Sequence, residues 1–461
     1  MRFPTSVQDH PVVQQAVHRL DELGDPRFGR TLVRCLDDTL ARTIRPMPDG
    51  TAFVVTGDIP AMWLRDSSTQ MMPYLALVRE DTALQELLLA VLRRQFQQIA
   101  HNPYANAFNA EPTGQAHDPG DLCADPWVWE EKYEVDSLAF PLLLAHRFWA
   151  ATGRTDHVPL ALRTARTVIA VWRTEQDHER LSAYRFLRRD CPPSDTLQNA
   201  GRGTPVARTG MTWSGFRPSD DACRYGYNIP ANLCAAAALD GVAELAHQVD
   251  DTELVESAAQ LAAELRAATM RQGIVHHPEF GLIYAYEVDG RGNALLMDDA
   301  NMPGLLSLPL IANVSATDAV YLATRKFALS PANPTWHRGT AAEGIGSPHT
   351  PDDHIWPIAI AVQGLTSNDS TERVTALKTL LSTDAGTGQM HESFHKDDPH
   401  RFTRPWFSWA NAMYAELALD IAGLGVARPR LPENVALDVG IGRRQHRDPG
   451  PGGVEYGESH V

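Results

Sequence analysis

The chain is poor in the features that would make it a membrane, secreted or nucleic-acid-binding protein. No stretch of about 18 apolar residues stands out as a membrane span, and Met1–His10 contains no apolar core of a signal peptide. The expected location is therefore the cytoplasm. Five cysteines, Cys35, Cys123, Cys191, Cys223 and Cys234, form no CxxC pair, and an odd count gives no disulfide framework. Basic charge is scarce: 41 Lys and Arg against 57 Asp and Glu leave −16, which excludes a basic face for phosphate backbones. The same balance disfavours a polyanionic substrate and is compatible with a neutral one such as a glycan. There is no GxxxxGK[ST] run, so nucleotide binding on a phosphate loop is rejected, and no fixed repeat, so a regular solenoid is not expected.

Helical periodicity is abundant. Leu84, Leu87, Leu88, Val91, Leu92, Phe96 and Ile99 follow the i, i+3, i+4 rule over 81–100, with Thr82 and Gln85 placed for a capping box. Phe140, Leu143, Leu144, Phe148 and Ala151 make a stripe over 138–152 that Gly153 should end. Similar segments lie near 10–22, 29–44, 64–79, 157–175, 229–247, 252–268, 316–328, 355–366, 370–382 and 408–423. Strand candidates are short, the best being 52–55 and 281–286. Many helices without βα alternation imply an all-α architecture of helix pairs. The expected layout is one domain over 1–440 and a disordered Pro/Gly-rich tail over 441–461.

Polar-aromatic blocks separate the helices. Trp149 and Trp172 sit inside amphipathic stripes. The other eight, Trp63, Trp127, Trp129, Trp213, Trp336, Trp356, Trp406 and Trp409, lie beside charged or Gly/Pro-rich segments, as the lining of a cleft would. One block, 216–227, places Asp220 and Asp221 side by side among arginines and aromatic rings. Adjacent carboxylates raise one another's pKa, which suits a group that must stay protonated near neutrality. The plain alternative is a polar loop with an Asp helix cap. Asp58, Trp63, Arg65 and Asp66 form a second block at a helix start, where an Arg–Asp brace is the simpler explanation. A third, Trp127 to Ser137, is either a solvated first turn or a substrate rim. A fourth holds Asp298, Asp299 and Asn301, side chains that pair with vicinal sugar hydroxyls or cap helices. His391-Glu392-Ser393-Phe394-His395 matches the HExxH zinc motif, with Glu416 an imaginable third ligand. Nearby Gly386, Gly388 and Pro399 leave room for about two helical turns, too few for such a metal helix, so no metal is expected.

Taken together, the blocks resemble glycoside hydrolase family 125, the exo-α-1,6-mannosidases. The matching pieces are TGDIPAMWLRDS at 56–67, FRPSDDACRYGYNIPANL at 216–233, MDDANMPGLLSLP at 297–309, AAEGIGSPHT at 341–350, MHESF at 390–394 and RPWFSWANAMYAEL at 404–417. The resemblance implies an (α/α)6 barrel with small β additions, a pocket for one terminal mannose, and inversion of anomeric configuration. It places the general acid at Asp220 or Asp221, with Asp220 preferred, and the base at Glu392. It implies that Asp58, Trp63, Arg65, Asp66, Asp299, Asn301, His349 and Trp409 hold the terminal sugar of a mannose-containing oligosaccharide. No cofactor is required, because side chains carry both proton transfers. Adjacent aspartates cannot grip opposite faces of one ring, so the second carboxylate has to come from another loop. The alternatives are another (α/α)6 activity (glucosidase, epimerase or lyase) or a sugar-binding protein without turnover.

Overall fold

A computed structural model describes residues 3–426; the tail expected over 441–461 lies outside the described residues. Twelve helices within that span alternate along the chain between two environments. Leu64–Met71, Val135–Thr152, Ile229–His247, Leu308–Ile311, Pro357–Leu365 and Ser408–Ile421 are buried on nearly all faces. Arg27–Asp38, Thr82–His101, Val158–Glu175, Thr252–Gln272, Ala319–Ala328 and Ser370–Ser382 bury one stripe each and expose the other. The first set forms an inner ring, in which Leu64–Met71 packs on Val135–Thr152 and the last helix returns to pack on Leu64–Met71. The second set lies outside it, giving the (α/α)6 barrel.

Composition decides which ring a helix joins. A helix that is apolar on all sides has no face to offer water and is driven to the centre. Ile229–His247 is the extreme case: long and apolar enough by composition to cross a bilayer, it is 83% buried inside the barrel. Its alanines over 235–238 let neighbouring helices approach closely.

Local signals set the ends. Gly153 adopts φ 70°, the left-handed conformation that closes a helix, and its N–H bonds the Trp149 carbonyl. The capping box expected from Thr82 and Gln85 does not form. Asp81 caps that helix instead, accepting from Leu84 N–H at 2.9 Å, and Gln85 turns back to donate to the Val78 carbonyl at 2.8 Å. Asp81 already has the extended backbone a cap requires, and its carboxylate is the better acceptor.

Short antiparallel strands run into the inner helices. Met62–Trp63 pairs with Ala107–Phe108, Tyr227–Asn228 with Glu287–Val288, and His354–Ile355 with Ser393–His395. Each delivers the chain to the N-terminus of a helix that begins within two residues.

Candidate active site

The N-terminal residues of three inner helices, together with the loops between helices, line a cavity of about 350 Å3. Trp63, Trp356 and Phe407 are the N-cap residues of three inner helices and all three line it. Helix N-termini carry partial positive charge and unpaired N–H groups, so the cavity favours carboxylates and hydroxyl-rich ligands. The carboxylates that gather here, Asp66 and Asp136 in first turns and Glu134 at a cap, follow from that field.

Asp220 enters the cavity from a tight turn. Its N–H bonds the Arg217 carbonyl at 2.9 Å across a turn with Pro218 in second position. Asp220 itself sits at φ 64°, a left-handed conformation that Asp tolerates better than most residues. The turn is clasped by an Arg217 N–H to Asp221 carbonyl bond at 2.7 Å and a Phe216–Ala222 bridge. Successive side chains are thereby split. Asp220 lines the cavity, while Asp221 is buried beside it and reaches His349 Nδ1 at 3.3 Å.

Arg65 is the hub of the buried charge. Its Nη1 donates to Glu134 Oε2 at 2.7 Å and Asp136 Oδ2 at 2.9 Å; Nη2 stands 3.5 Å from Asp220 Oδ1 and Nε 3.7 Å from Asp66 Oδ1. Asn106 Nδ2 donates to Asp220 Oδ1 at 3.2 Å. Burial pushes the carboxyls of Asp66, Asp136 and Glu134 up, Glu134 most. Asp220 is buried too, yet Arg65, Glu134, Lys132 and His349 together hold its carboxyl well down. His349 moves the other way. Burial opposes its charge, but the bond to Asp221 and the nearby charges of Asp220 and Glu392 lift it to about 9, so it is an imidazolium at neutral pH.

Glu392 opens into the same cavity from the segment preceding strand Ser393–His395. Its Oε1 stands 3.5 Å from Arg404 Nη1. The HExxH stretch is a strand entry, not a helix, so its histidines lack the one-face helical arrangement that motif needs. His391 stacks flat on Phe402 at 3.7 Å, with both ring nitrogens 3.3 Å from backbone carbonyls. Glu416 lines a different cavity, with Met72 and Arg147.

Of the sequence candidates, Trp63, Arg65, Asp66, Asp220, Asn301, His349, Glu392 and Trp409 surround one cavity. Asp221 stands one contact behind, through His349. Asp299 also stands behind: it accepts from Asn301 N and Nδ2 at 3.1 and 3.0 Å, fixing the side chain that lines the wall. Asp58 does not line the cavity; it is exposed and its Oδ1 accepts from Arg404 Nη2 at 2.7 Å. Asp298 is structural, accepting backbone N–H from Asp299, Leu305 and Leu306.

The tryptophan pattern is only partly a cleft signal. Trp63, Trp356 and Trp409 line the cavity, but Trp213 is a core residue stacked on His178 at 3.6 Å, and Trp406 is spent on Asp38 at 2.6 Å. The charged part of the block 127–137 is not a solvated turn: Glu130, Lys132, Glu134 and Asp136 are buried, tied to Arg65, Arg188 and Asp195, while Trp127 and Trp129 are half-buried. Arg404 and Phe407 were not singled out, and Trp356 was named only with the tryptophans of a general cleft lining. The signal for them lay in their position, one to four residues before a strongly apolar helix.

This geometry has counterparts. A sequence model of the metal-independent alpha-mannosidases (GH125) matches residues 25–419. The meiotically up-regulated gene 157 protein of Schizosaccharomyces pombe is 38% identical over 438 residues, covering 89% of this chain and 85% of the yeast protein. A metal-independent α-mannosidase of Streptococcus pneumoniae, solved as a non-productive complex with α-1,6-mannobiose, is 42% identical, with a TM-score of 0.87. That match covers 89% of this chain and 97% of the bacterial one. A bacterial glucoamylase complexed with acarbose aligns at a TM-score of 0.59 and 14% identity over 88% of this chain and 56% of its own, a likeness of fold alone.

Proposed function

The chain belongs to the metal-independent α-mannosidases of glycoside hydrolase family 125, and on that footing we propose that it removes terminal α-1,6-linked mannose with inversion. The observation that carries this reading is that Asp220 and Glu392, borne on different loops, line one cavity. Asp220 is the general acid that protonates the leaving oxygen. Glu392 is the general base that takes a proton from water on the opposite face. An inverting pair needs about 6.5–9.5 Å between carboxyls to admit that water, against about 5 Å for a retaining pair.

Action at chain ends belongs to the same proposal: a cavity of about 350 Å3 suits a terminal sugar rather than a long stretch of glycan. The α-1,6 preference rests on the pneumococcal relative, whose complex holds α-1,6-mannobiose. Trp63 and Trp409 supply aromatic wall for the C–H surface of a ring, and Asn301, Asp66 and His349 supply hydrogen-bonding groups for its hydroxyls.

Hydrolysis of α-1,6-mannobiose followed by proton NMR should give β-mannose first; α-mannose as the first product would end the inverting assignment. Parallel digestion of the α-1,2- and α-1,3-linked disaccharides measures linkage preference. No turnover of any of them at high protein concentration would favour a sugar-binding role instead.

A further inference from the structure

Glu134 is a buried carboxyl to which the reaction above gives no task. It occupies the N-cap of helix Val135–Thr152, yet its side chain caps nothing. Oε2 accepts from Arg65 Nη1 at 2.7 Å and from Ser137 Oγ at 2.7 Å. Oε1 is sealed from solvent and meets no donor. Arg65 brings that side chain beside Asp220, its Nη1 on Glu134 Oε2 at 2.7 Å and its Nη2 3.5 Å from Asp220 Oδ1.

Two ionised carboxylates gathered on one guanidinium repel each other, and a proton shared between them as an O–H···O bond would relieve that repulsion and give the orphaned oxygen a partner. The surrounding charge favours the same. Asp66, Glu134, Asp136 and Asp220 gather on Arg65, and Lys132 also acts on Asp220. Glu130 and Asp195, which Lys132 meets at 3.5 and 2.5 Å, are answered by Arg188 as well, at 2.9 and 2.7 Å. Asn106 and the Cys223 thiol add no charge, and His349 adds one positive charge at the rim. Burial raises Glu134 while Arg65 holds Asp220 down, so the shared proton rests on Glu134.

We propose that Glu134 is a positioning residue that keeps a proton in store for Asp220, the two carboxyls forming a one-proton dyad. This deepens the mechanism above and rests on Asp220 being the acid. The proton crosses from Glu134 to Asp220, and Asp220 gives it to the glycosidic oxygen as the C–O bond breaks. Water adds to the anomeric carbon and loses its proton to Glu392. Exchange with solvent returns that proton from Glu392 to the dyad, so only glycoside and water are consumed.

The test compares Glu134→Gln with Asp220→Asn on two substrates, α-1,6-mannobiose and α-mannosyl fluoride, whose fluoride leaves as an anion without prior protonation. Gln keeps the volume and the acceptor for Arg65 but removes the neighbouring acid. The alkaline limb of kcat/KM on mannobiose is expected to move to lower pH by about one unit or more, a fall of about tenfold at neutral pH. Turnover of the fluoride should stay near wild type. An unchanged limb in Glu134→Gln, or equal losses on both substrates, overturns the dyad; the second outcome would make Glu134 merely structural. Should Glu134→Gln not fold, Glu134→Asn, which also removes the acid, carries the same comparison. Asp220→Asn separates the two ideas: if it loses both substrates equally, Asp220 is not the acid, and the dyad falls with that assignment. If it spares the fluoride while Glu134→Gln behaves as wild type, only the dyad fails.

Discussion

Arg404 Nη1 stands 3.5 Å from Glu392 Oε1, and the same guanidinium is gripped from outside by Asp58 Oδ1 at 2.7 and 2.9 Å. Asp58 thus bears on the proposed base through Arg404, without lining the cavity. Arg404 sits at φ 38°, unfavourable for any residue with a Cβ, and its guanidinium lies over Phe407 at 4.5 Å. Strain of this kind costs about 1–3 kcal/mol and persists where the surroundings enforce it.

Two variants separate the charge from the strain. Arg404→Ala should lower kcat/KM by about 10- to 100-fold, since Glu392 loses the group that orients it. Arg404→Gly should be equally inactive yet more stable than Arg404→Ala, by up to about 1 kcal/mol, because glycine accepts positive φ freely. Thermal unfolding of the pair decides: equal melting temperatures would show that φ 38° stores no strain. Asp58→Asn should give a smaller loss of activity, because Arg404 keeps its place over Phe407.

The role of Glu392 has a chemical signature of its own. Glu392→Ala should cut mannobiose hydrolysis by about 10²- to 10⁴-fold, the usual contribution of a general base. Azide needs no base, because it carries no proton to lose, and a truncated side chain leaves room for it. Added azide should therefore restore glycoside consumption in this variant and yield β-mannosyl azide. Wild-type rates without azide would remove Glu392 from the mechanism.

His349 supplies a pH-dependent contribution to stability. Its pKa, lifted from 6.5 to about 9 chiefly by Asp221 against the cost of burial, is higher in the folded protein than in the unfolded chain. The contribution is therefore fully present below about pH 6.5 and is lost as pH rises through about 9. His349→Gln should be less stable than wild type at pH 6, and the gap should close by pH 10. The side chain is 38% exposed, so solvent screening keeps the effect modest. A gap that widens with pH would reverse the assignment of charge. Denaturant titrations at five pH values are enough to see the trend.

The helical framework was legible where helices are long and their apolar residues keep step with the helical turn; the four-residue inner helix Leu308–Ile311 was not among the expected segments. The expected 229–247 and 370–382 match Ile229–His247 and Ser370–Ser382 end to end. The strands at the cavity were not legible. Pairs such as Met62–Trp63 and Tyr227–Asn228 are two residues long, and only tertiary pairing distinguishes them from loop. The same limit hid Glu134 and Asp136. A run of charges before a helix reads as surface, and nothing local reveals that this helix is an inner one whose N-terminus faces a buried arginine. Trp213 misled in the opposite sense, because its neighbours in sequence are polar while its neighbours in space are His178, Tyr133 and Tyr184.

The Arg404 clamp also depends on a backbone approach that a single methyl group would break. Gly57 sits at φ 139° and bridges Phe407, and a Cβ there would overlap the Trp406 carbonyl oxygen. The bridge binds the loop carrying Asp58 to the start of helix Ser408–Ile421, and the Ser408 N–H to Thr56 carbonyl bond at 3.0 Å continues it. Backbone cannot retreat as a flexible side chain can, so Gly57→Ala must push the two segments apart or abandon its conformation, at a cost of about 1–3 kcal/mol. Separation would draw Asp58 off Arg404 and Thr56 off Asp66, whose Oδ2 accepts from the Thr56 hydroxyl at 2.5 Å. Gly57→Ala should therefore lower both the melting temperature and kcat, although it touches no residue of the cavity wall except through the chain. If it melted as wild type and lost activity all the same, the bridge would matter to the geometry of the site and not to the stability of the barrel.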